Sequence, residues 1–275
     1  TSAKGRSQMN IVNRCELLHA FGRRVPVALL GLVLCGGCTE KHEATQPSPS
    51  STEAAPEEER PVNPNVGQVQ LHPKLRAYVE QVVEAGFDSI SEERKKRLRR
   101  LARFVEEKRA AAESADLTYI CTHNSRRSHM SQLWGATAAA WYGIDGVKTF
   151  SGGTEATAFN PRAVAALERA GFEIENPGGE NPHYRVTYGP DAPVMECFSK
   201  KYDDSFNPAK GFAAVMTCSR ADESCPVVMG ADLRVGIPYD DPKAADGTPE
   251  ERARYDERCK QIAAEMLYLF SRVEA

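Results

Sequence analysis

The chain has 275 residues, 41% of them hydrophobic, and a formal charge of −3. That suffices for one sizeable core once targeting and linker sequence is set aside, and excludes a wholly disordered chain. The near-balanced charge supplies no broad cationic field, which argues against nucleic acid as a partner; eight cysteines are too few for a disulfide-dense scaffold.

Arg23 and Arg24 precede an uncharged run at 25–37, VPVALLGLVLCGG. The run is too short to span a bilayer and suits the apolar region of a signal peptide. Cys38 follows a Gly-Gly pair, which resembles the lipobox of bacterial lipoproteins, although Cys35 stands where leucine is usual. The resemblance implies an export signal at 1–38, lipidation of Cys38, and a membrane partner through that lipid anchor. Localisation would be periplasmic or outer envelope; a plain secretory signal is the alternative. Residues 39–70 turn to Pro, Ser, Thr, Glu and Ala. Such a segment buries too little apolar surface to offset its ordering entropy, and reads as a disordered linker.

Residues 71–115 form a helical extension. Leu75, Tyr78, Val79, Val82 and Val83 share one face of a first helix, ended by Gly86. A second begins after Ser91, with Glu92 and Glu93 in its first turn and Leu98, Leu101, Phe104 and Val105 as its buried stripe. Its basic run, RKKRLRRLARF, reads as a solvated face balanced by Glu92, Glu93, Glu106 and Glu107.

From 116 to 275 short strands alternate with helices. A strand is expected at 117–120, then a helix at 128–142 with Met130, Leu133, Trp134, Ala138 and Trp141 on one face. A strand at 147–150 precedes a helix opened by Pro161 and lined by Ala163, Val164, Leu167 and Ala170. Apolar runs at 212–216 and 233–237 predict two buried strands, and 250–273 a closing helix. The alternation predicts an α/β domain, a central parallel sheet with helices on both faces. The stretch at about 176–207, rich in Gly, Pro, Asp and Tyr, reads as an insertion with a hairpin through 184–188 and 194–198.

One segment carries chemistry: YICTHNSRRSHM at 119–130 sets Cys121 six residues ahead of Arg127, where strand gives way to helix. In a strand-loop-helix unit the loop N–H groups and the helix N-terminus converge on one spot and attract an anion. A cysteine in that field is held toward its nucleophilic thiolate form. An arginine closing the loop offers a planar fork to two oxygens of a tetrahedral oxyanion. Of the eight cysteines, Cys121 alone has arginine at this offset.

ICTHNSRRS resembles the Cys-x5-Arg-Ser loop of low-molecular-weight protein tyrosine phosphatases and of thioredoxin-coupled arsenate reductases, which share one fold. SGGTE at 151–155 resembles the family's Ser-Ala-Gly segment, and DDP at 240–242 the loop bearing its general acid. The resemblance spans about 117–275 with the insertion unmatched. TCSRADESCP, holding Cys218 and Cys225, resembles the redox segment of the arsenate reductases, and Lys243, Ala244 and Ala245 stand where phosphatases usually carry tyrosines.

The resemblance implies an arsenate reductase with a cysteine relay. Cys121 would attack arsenate held by Arg127 and by the loop residues Thr122, His123, Asn124, Ser125 and Arg126, while Asp241 protonates the leaving oxygen. Cys218 and then Cys225 would carry the disulfide outward to a thioredoxin-like reductant. Asn124 and Ser128 would support the loop, with Ser151 assisting from the next strand. Arg126 and His123 replace residues common in the family, a second cysteine and a glycine. No bound cofactor or metal is implied, and Gln132, where reductases with a potassium site often place glutamate, argues against that ion.

Two other readings stay open: hydrolysis of phosphotyrosine or another phosphomonoester by the same thiolate, and a non-enzymatic oxyanion-binding or thiol-sensing lipoprotein. Cys218 and Cys225 also fit a stabilising disulfide. Asp240 rivals Asp241 as the acid. A zinc site of Cys121, His123 and His129 lacks a known spacing and a fourth ligand. Cys197, Cys259, Trp134 and Trp141 are assigned to the core.

Overall fold

The computed structural model describes residues 66–224 and 227–274. The expected signal at 1–38 with Cys38, the linker up to residue 65, and Cys225 lie outside the described residues. Two helices come first. α1 (Pro73–Glu84) opens on proline and buries Leu75, Val79 and Val82. α2 (Glu92–Ala110) is capped by Ser91, whose hydroxyl accepts from the Arg94 N–H at 3.4 Å. Then follow β1 (Ala115–Cys121), α3 (Arg127–Trp141), β2 (Val147–Gly153) and α4 (Pro161–Ala170). β3 (Glu173–Glu175), β4 (Tyr184–Thr187) and β5 (Met195–Cys197) precede β6 (Phe212–Met216), a short α5 (Ser219–Ser224) and β7 (Ala231–Gly236). A 3-10 turn (Pro242–Ala245) leads into α6 (Glu251–Ser271).

The main sheet is wholly parallel in the order β2-β1-β6-β7. Side chains alternate across it, as the pleat requires. From β1 and β6, Ala115, Leu117, Tyr119, Ala213 and Val215 join the large core under the helices. Ile120, Phe212, Ala214 and Met216 join a smaller cluster on the other face, to which Cys121 at the end of β1, Cys218 and Ala221 also belong. Helices therefore lie on both faces, as predicted, but unequally: α2 and α3 pack on one face, with α1, α4 and α6 completing the same core, while α5 and loop residues cover the other. α3 is drawn tight onto the sheet by Gly135, where a Cβ would sit 2.5 Å from the Tyr119 hydroxyl.

The structure corrects several expectations. The linker does not extend to residue 70: Gly67 donates to the Trp141 carbonyl at 2.8 Å, and Val66 and Val69 pack on the core. The helices of the extension, α1 and α2, bury their apolar stripes in the same core as the sheet. The basic run of α2 is not simply solvated. Arg94 reaches the buried Glu265, Arg97 the Gly236 carbonyl, and Arg99 the Tyr268 hydroxyl. Long stems let guanidiniums on a helix flank reach polar groups at the core's rim. The expected hairpin forms as β4 and β5, but β3, ahead of the assigned insertion, joins it in a three-stranded antiparallel sheet.

Candidate active site

β1 ends at Cys121 on the C-terminal edge of the parallel sheet, the edge where α/β folds bind ligands. The chain turns through Asn124, which takes a left-handed φ of 44°, a conformation asparagine tolerates better than most residues. Its side chain donates to Ser128 Oγ at 2.9 Å, and that oxygen lies 3.1 Å from Cys121 Sγ. Having accepted from Asn124, the Ser128 hydroxyl still has its own hydrogen to give the sulfur.

The loop's carbonyls are engaged from outside. Thr154 N–H binds the Cys121 carbonyl, Glu155 N–H and Thr154 Oγ bind that of Thr122, and Asn160 N–H binds that of Ser125. Ser125 Oγ in turn donates to the Ala158 carbonyl at 2.7 Å. With the carbonyls occupied, and the first N–H groups of α3 lacking partners within the helix, an anion at the loop meets donors.

Both arginines of the loop lie against Asp241. Arg126 approaches it through Nε at 2.8 Å and a second nitrogen at 3.3 Å, and Arg127 donates to Oδ2 at 2.8 Å. Arg127 also donates to the Tyr239 carbonyl at 2.8 Å. Burial alone would push the Asp241 carboxyl up, but Arg127, Arg126 and the Lys243 N–H together hold it below the usual carboxylate range. Arg127, expected to grip an oxyanion, thus rests against Asp241, with Arg126 beside it on the same carboxylate. Two nearly buried guanidiniums need an anionic partner, and Asp241 supplies it from the adjoining loop. Its rival Asp240 is 99% exposed.

Cys218 follows the end of β6. Thr217 binds the Ile120 carbonyl through both N–H and Oγ, at 2.7 and 2.9 Å, which ties that end to β1. The Cys218 sulfur then lies 3.5 Å from Thr122 Oγ1 and accepts from Ala221 N–H at 3.4 Å. Cys121 and Cys218 are both free, buried thiols of one cluster. Among the described residues no set of three or more His, Cys, Asp and Glu side chains is arranged to hold a metal.

His129 stacks on Phe159, ring centroids 4.0 Å apart, with Nδ1 3.2 Å from Ser151 Oγ. Ser151 therefore braces the ring of His129, in the first turn of α3. Full burial, helped by the charge of Lys200, pushes the His129 imidazole well below its ordinary value. The folded state thus refuses a proton that the unfolded chain accepts near pH 6.5, so stability falls as pH drops below about 6.5. Melting temperature should decline between pH 7.5 and 5.5, and His129→Gln should flatten that decline. An unchanged slope in the variant, measured by calorimetry, would contradict this account.

No protein-family model matches the chain. The arsenate reductase of Bacillus subtilis is 28% identical over 159 residues, covering 58% of this chain and 96% of that protein. The arsenate reductase of Brevibacillus brevis is 30% identical over 138 residues, covering 50% of this chain and 83% of that protein. The chain belongs to the arsenate reductase family. A low-molecular-weight protein tyrosine phosphatase from T. tengcongensis, of known structure, is 15% identical, covering 58% of this chain and 100% of its own, at a TM-score of 0.41. Membership makes the chain an enzyme and sets aside the non-enzymatic reading.

In this arsenate reductase family member, the insertion fastens the loop, and the sequence did not reveal it. Lys200 donates its N–H to Asn124 Oδ1 at 2.9 Å and accepts from Gly153 N–H at 2.9 Å, so it links the strained residue to β2. Ser199 Oγ donates to the His123 carbonyl at 2.9 Å, and Asn207 Nδ2 to that of Ser151 at 3.1 Å. The Lys200 ammonium is buried beside Phe198 and Phe206, and that burial pushes its pKa down. A serine, a lysine and an asparagine in a Gly- and Pro-rich stretch carry no local signal of such contacts. His123 itself stands half-exposed at the rim, 3.6 Å from Glu155.

Proposed function

We propose that this protein reduces arsenate by an intramolecular cysteine relay. The Cys121 thiolate attacks arsenic while the loop N–H groups and Arg127 hold the oxygens, and the departing oxygen takes its proton from Asp241. To grip the substrate, Arg127 must release Asp241; the incoming anion replaces one negative partner by another, and its charge favours protonation of the acid. Cys218 then attacks Cys121 Sγ. A sulfur–sulfur bond forms, the sulfur–arsenic bond breaks, and its electron pair stays on arsenic, which leaves as arsenite. Cys225 attacks Cys218, frees Cys121, and leaves a Cys218–Cys225 disulfide for an external thioredoxin-like dithiol to reduce. Thr122, Asn124, Ser125 and Ser128 keep the loop in shape, with His123 and Arg126 at its mouth.

The observation that carries this reading is a second free thiol, Cys218, 3.5 Å from Thr122 Oγ1 in the residue next to Cys121. A hydrolase has no need of a thiol there. Export through residues 1–38, with lipidation of Cys38, belongs to the same proposal; the electron donor is then a thioredoxin-like protein of the envelope. The test is arsenate-dependent oxidation of a reduced thioredoxin by the full chain. It is expected in the wild type and lost in both Cys218→Ser and Cys225→Ser. Aryl phosphate hydrolysis untouched by those substitutions, with no arsenate turnover, establishes the phosphatase reading instead.

A further inference from the structure

The acid loop is built partly from outside the stretch that carries the family's motifs. α2, in the helical extension, aims two arginines at it: Arg97 donates to the Gly236 carbonyl at 3.0 Å and Arg94 to the Pro238 carbonyl at 2.7 Å. Arg94 does more than one thing at that point. Its Nε pairs with Glu265 Oε1 at 2.7 Å, and its guanidinium lies 4.6 Å from the centroid of the Tyr239 ring. The Tyr239 hydroxyl donates to the other Glu265 oxygen at 2.8 Å. Tyr239 and Glu265 are both buried, and with Arg94 they form a polar cluster under the loop, to which Gln261 adds a donor to Glu265 at 3.1 Å. The main chain of Tyr239 faces the site: its N–H binds the Thr217 carbonyl at 3.1 Å, next to Cys218, and its carbonyl accepts from Arg127 at 2.8 Å. Two residues later comes Asp241, held by Arg126 and Arg127.

We propose that Arg94 is a positioning residue for the oxyanion site, setting the Tyr239 carbonyl and so the orientation of Arg127. This deepens the function proposed above and rests on that loop binding an oxyanion. When an anion draws Arg127 away from Asp241, the Tyr239 carbonyl is the partner that remains, and the guanidinium pivots on it. Lysine at position 94 keeps the charge opposite Glu265 but cannot bind the carboxylate and the Pro238 carbonyl through two fixed nitrogens at once. Methionine removes both contacts and leaves Glu265 a buried charge without its cation.

The experiment measures binding of inorganic phosphate to the full chain by calorimetry, beside thermal melting and arsenate turnover. Arg94→Met is expected to weaken phosphate binding ~10-fold or more per folded molecule, with Arg94→Lys recovering part of the loss. Arg99→Met is the control, since Arg99 joins the same helix to α6 through Tyr268 without reaching the acid loop. It should lower the melting temperature and leave the phosphate affinity unchanged. If the Arg94 variants melt lower but bind phosphate like the wild type, the residue is only structural and the proposal fails. It fails as well if the wild type binds no phosphate. A wild type that binds phosphate without turning over arsenate overturns the proposed function alone, and the affinities of the variants still decide the role of Arg94.

Discussion

Cys121→Ser is expected to lose at least ~10³-fold in turnover, because the hydroxyl is a far weaker nucleophile than a thiolate and the relay cannot form its first disulfide. The fold should survive. The sulfur makes one close polar contact, to Ser128 Oγ at 3.1 Å, which a serine oxygen can also approach, and the side chain is of similar size. Phosphate affinity should change little, because the loop N–H groups and Arg127 are untouched. Measured together, thioredoxin oxidation, phosphate binding and melting should show activity collapsing alone. A variant retaining more than about a hundredth of wild-type turnover removes Cys121 from the nucleophile's role.

The second large effect is expected at Gly153, the last residue of β2. A Cβ there would lie 2.3 Å from the Glu155 carbonyl oxygen, and 2.7 Å from both Asn124 N and the Thr122 carbonyl oxygen. All three are main-chain atoms, two of them in the loop that follows Cys121, so no side chain can turn aside to make room. Gly153→Ala must displace the loop, and a shift of about 1 Å in reacting groups costs on the order of 10²-fold in rate. Turnover should fall by that amount with a weaker loss of phosphate affinity. Gly152→Ala is the informative neighbour: its Cβ would meet the Tyr202 main chain at 2.3 Å, and that residue reaches the loop only indirectly, through Lys200. It should cost stability with a smaller effect on activity. Equal activity losses in the two variants would show that general crowding, and not the placement of the loop, is responsible.

What could be read along the chain is what short-range physics controls. The Asn160-Pro161 start of α4 is visible because an N-cap side chain and a proline at the first position act within one turn; Asn160 Oδ1 does accept from Arg162 N–H at 2.9 Å. The β6 run is visible because a strand buried on both faces is continuously apolar. Cys121, Asn124, Arg127 and Ser128 could be named because a strand-loop-helix unit keeps its anion-binding residues within a few positions of one another. Short elements were missed. α5 and the turn at Pro242–Ala245 run six and four residues, too few for a period to declare itself.

The sequence by itself determined the parallel α/β class, the loop and its cysteine, because each depends on neighbours a few residues away. Only the tertiary structure decided which charges meet. Arg127 finds Asp241 across 114 residues, Arg126 finds the same carboxylate across 115, and Arg94 finds Glu265 across 171. An arginine or lysine offers the same donors to any acceptor within reach. Its partner is selected by burial, since a charge taken out of water must be paired, and which carboxylate lies beside it is settled only once the helices have packed on the sheet.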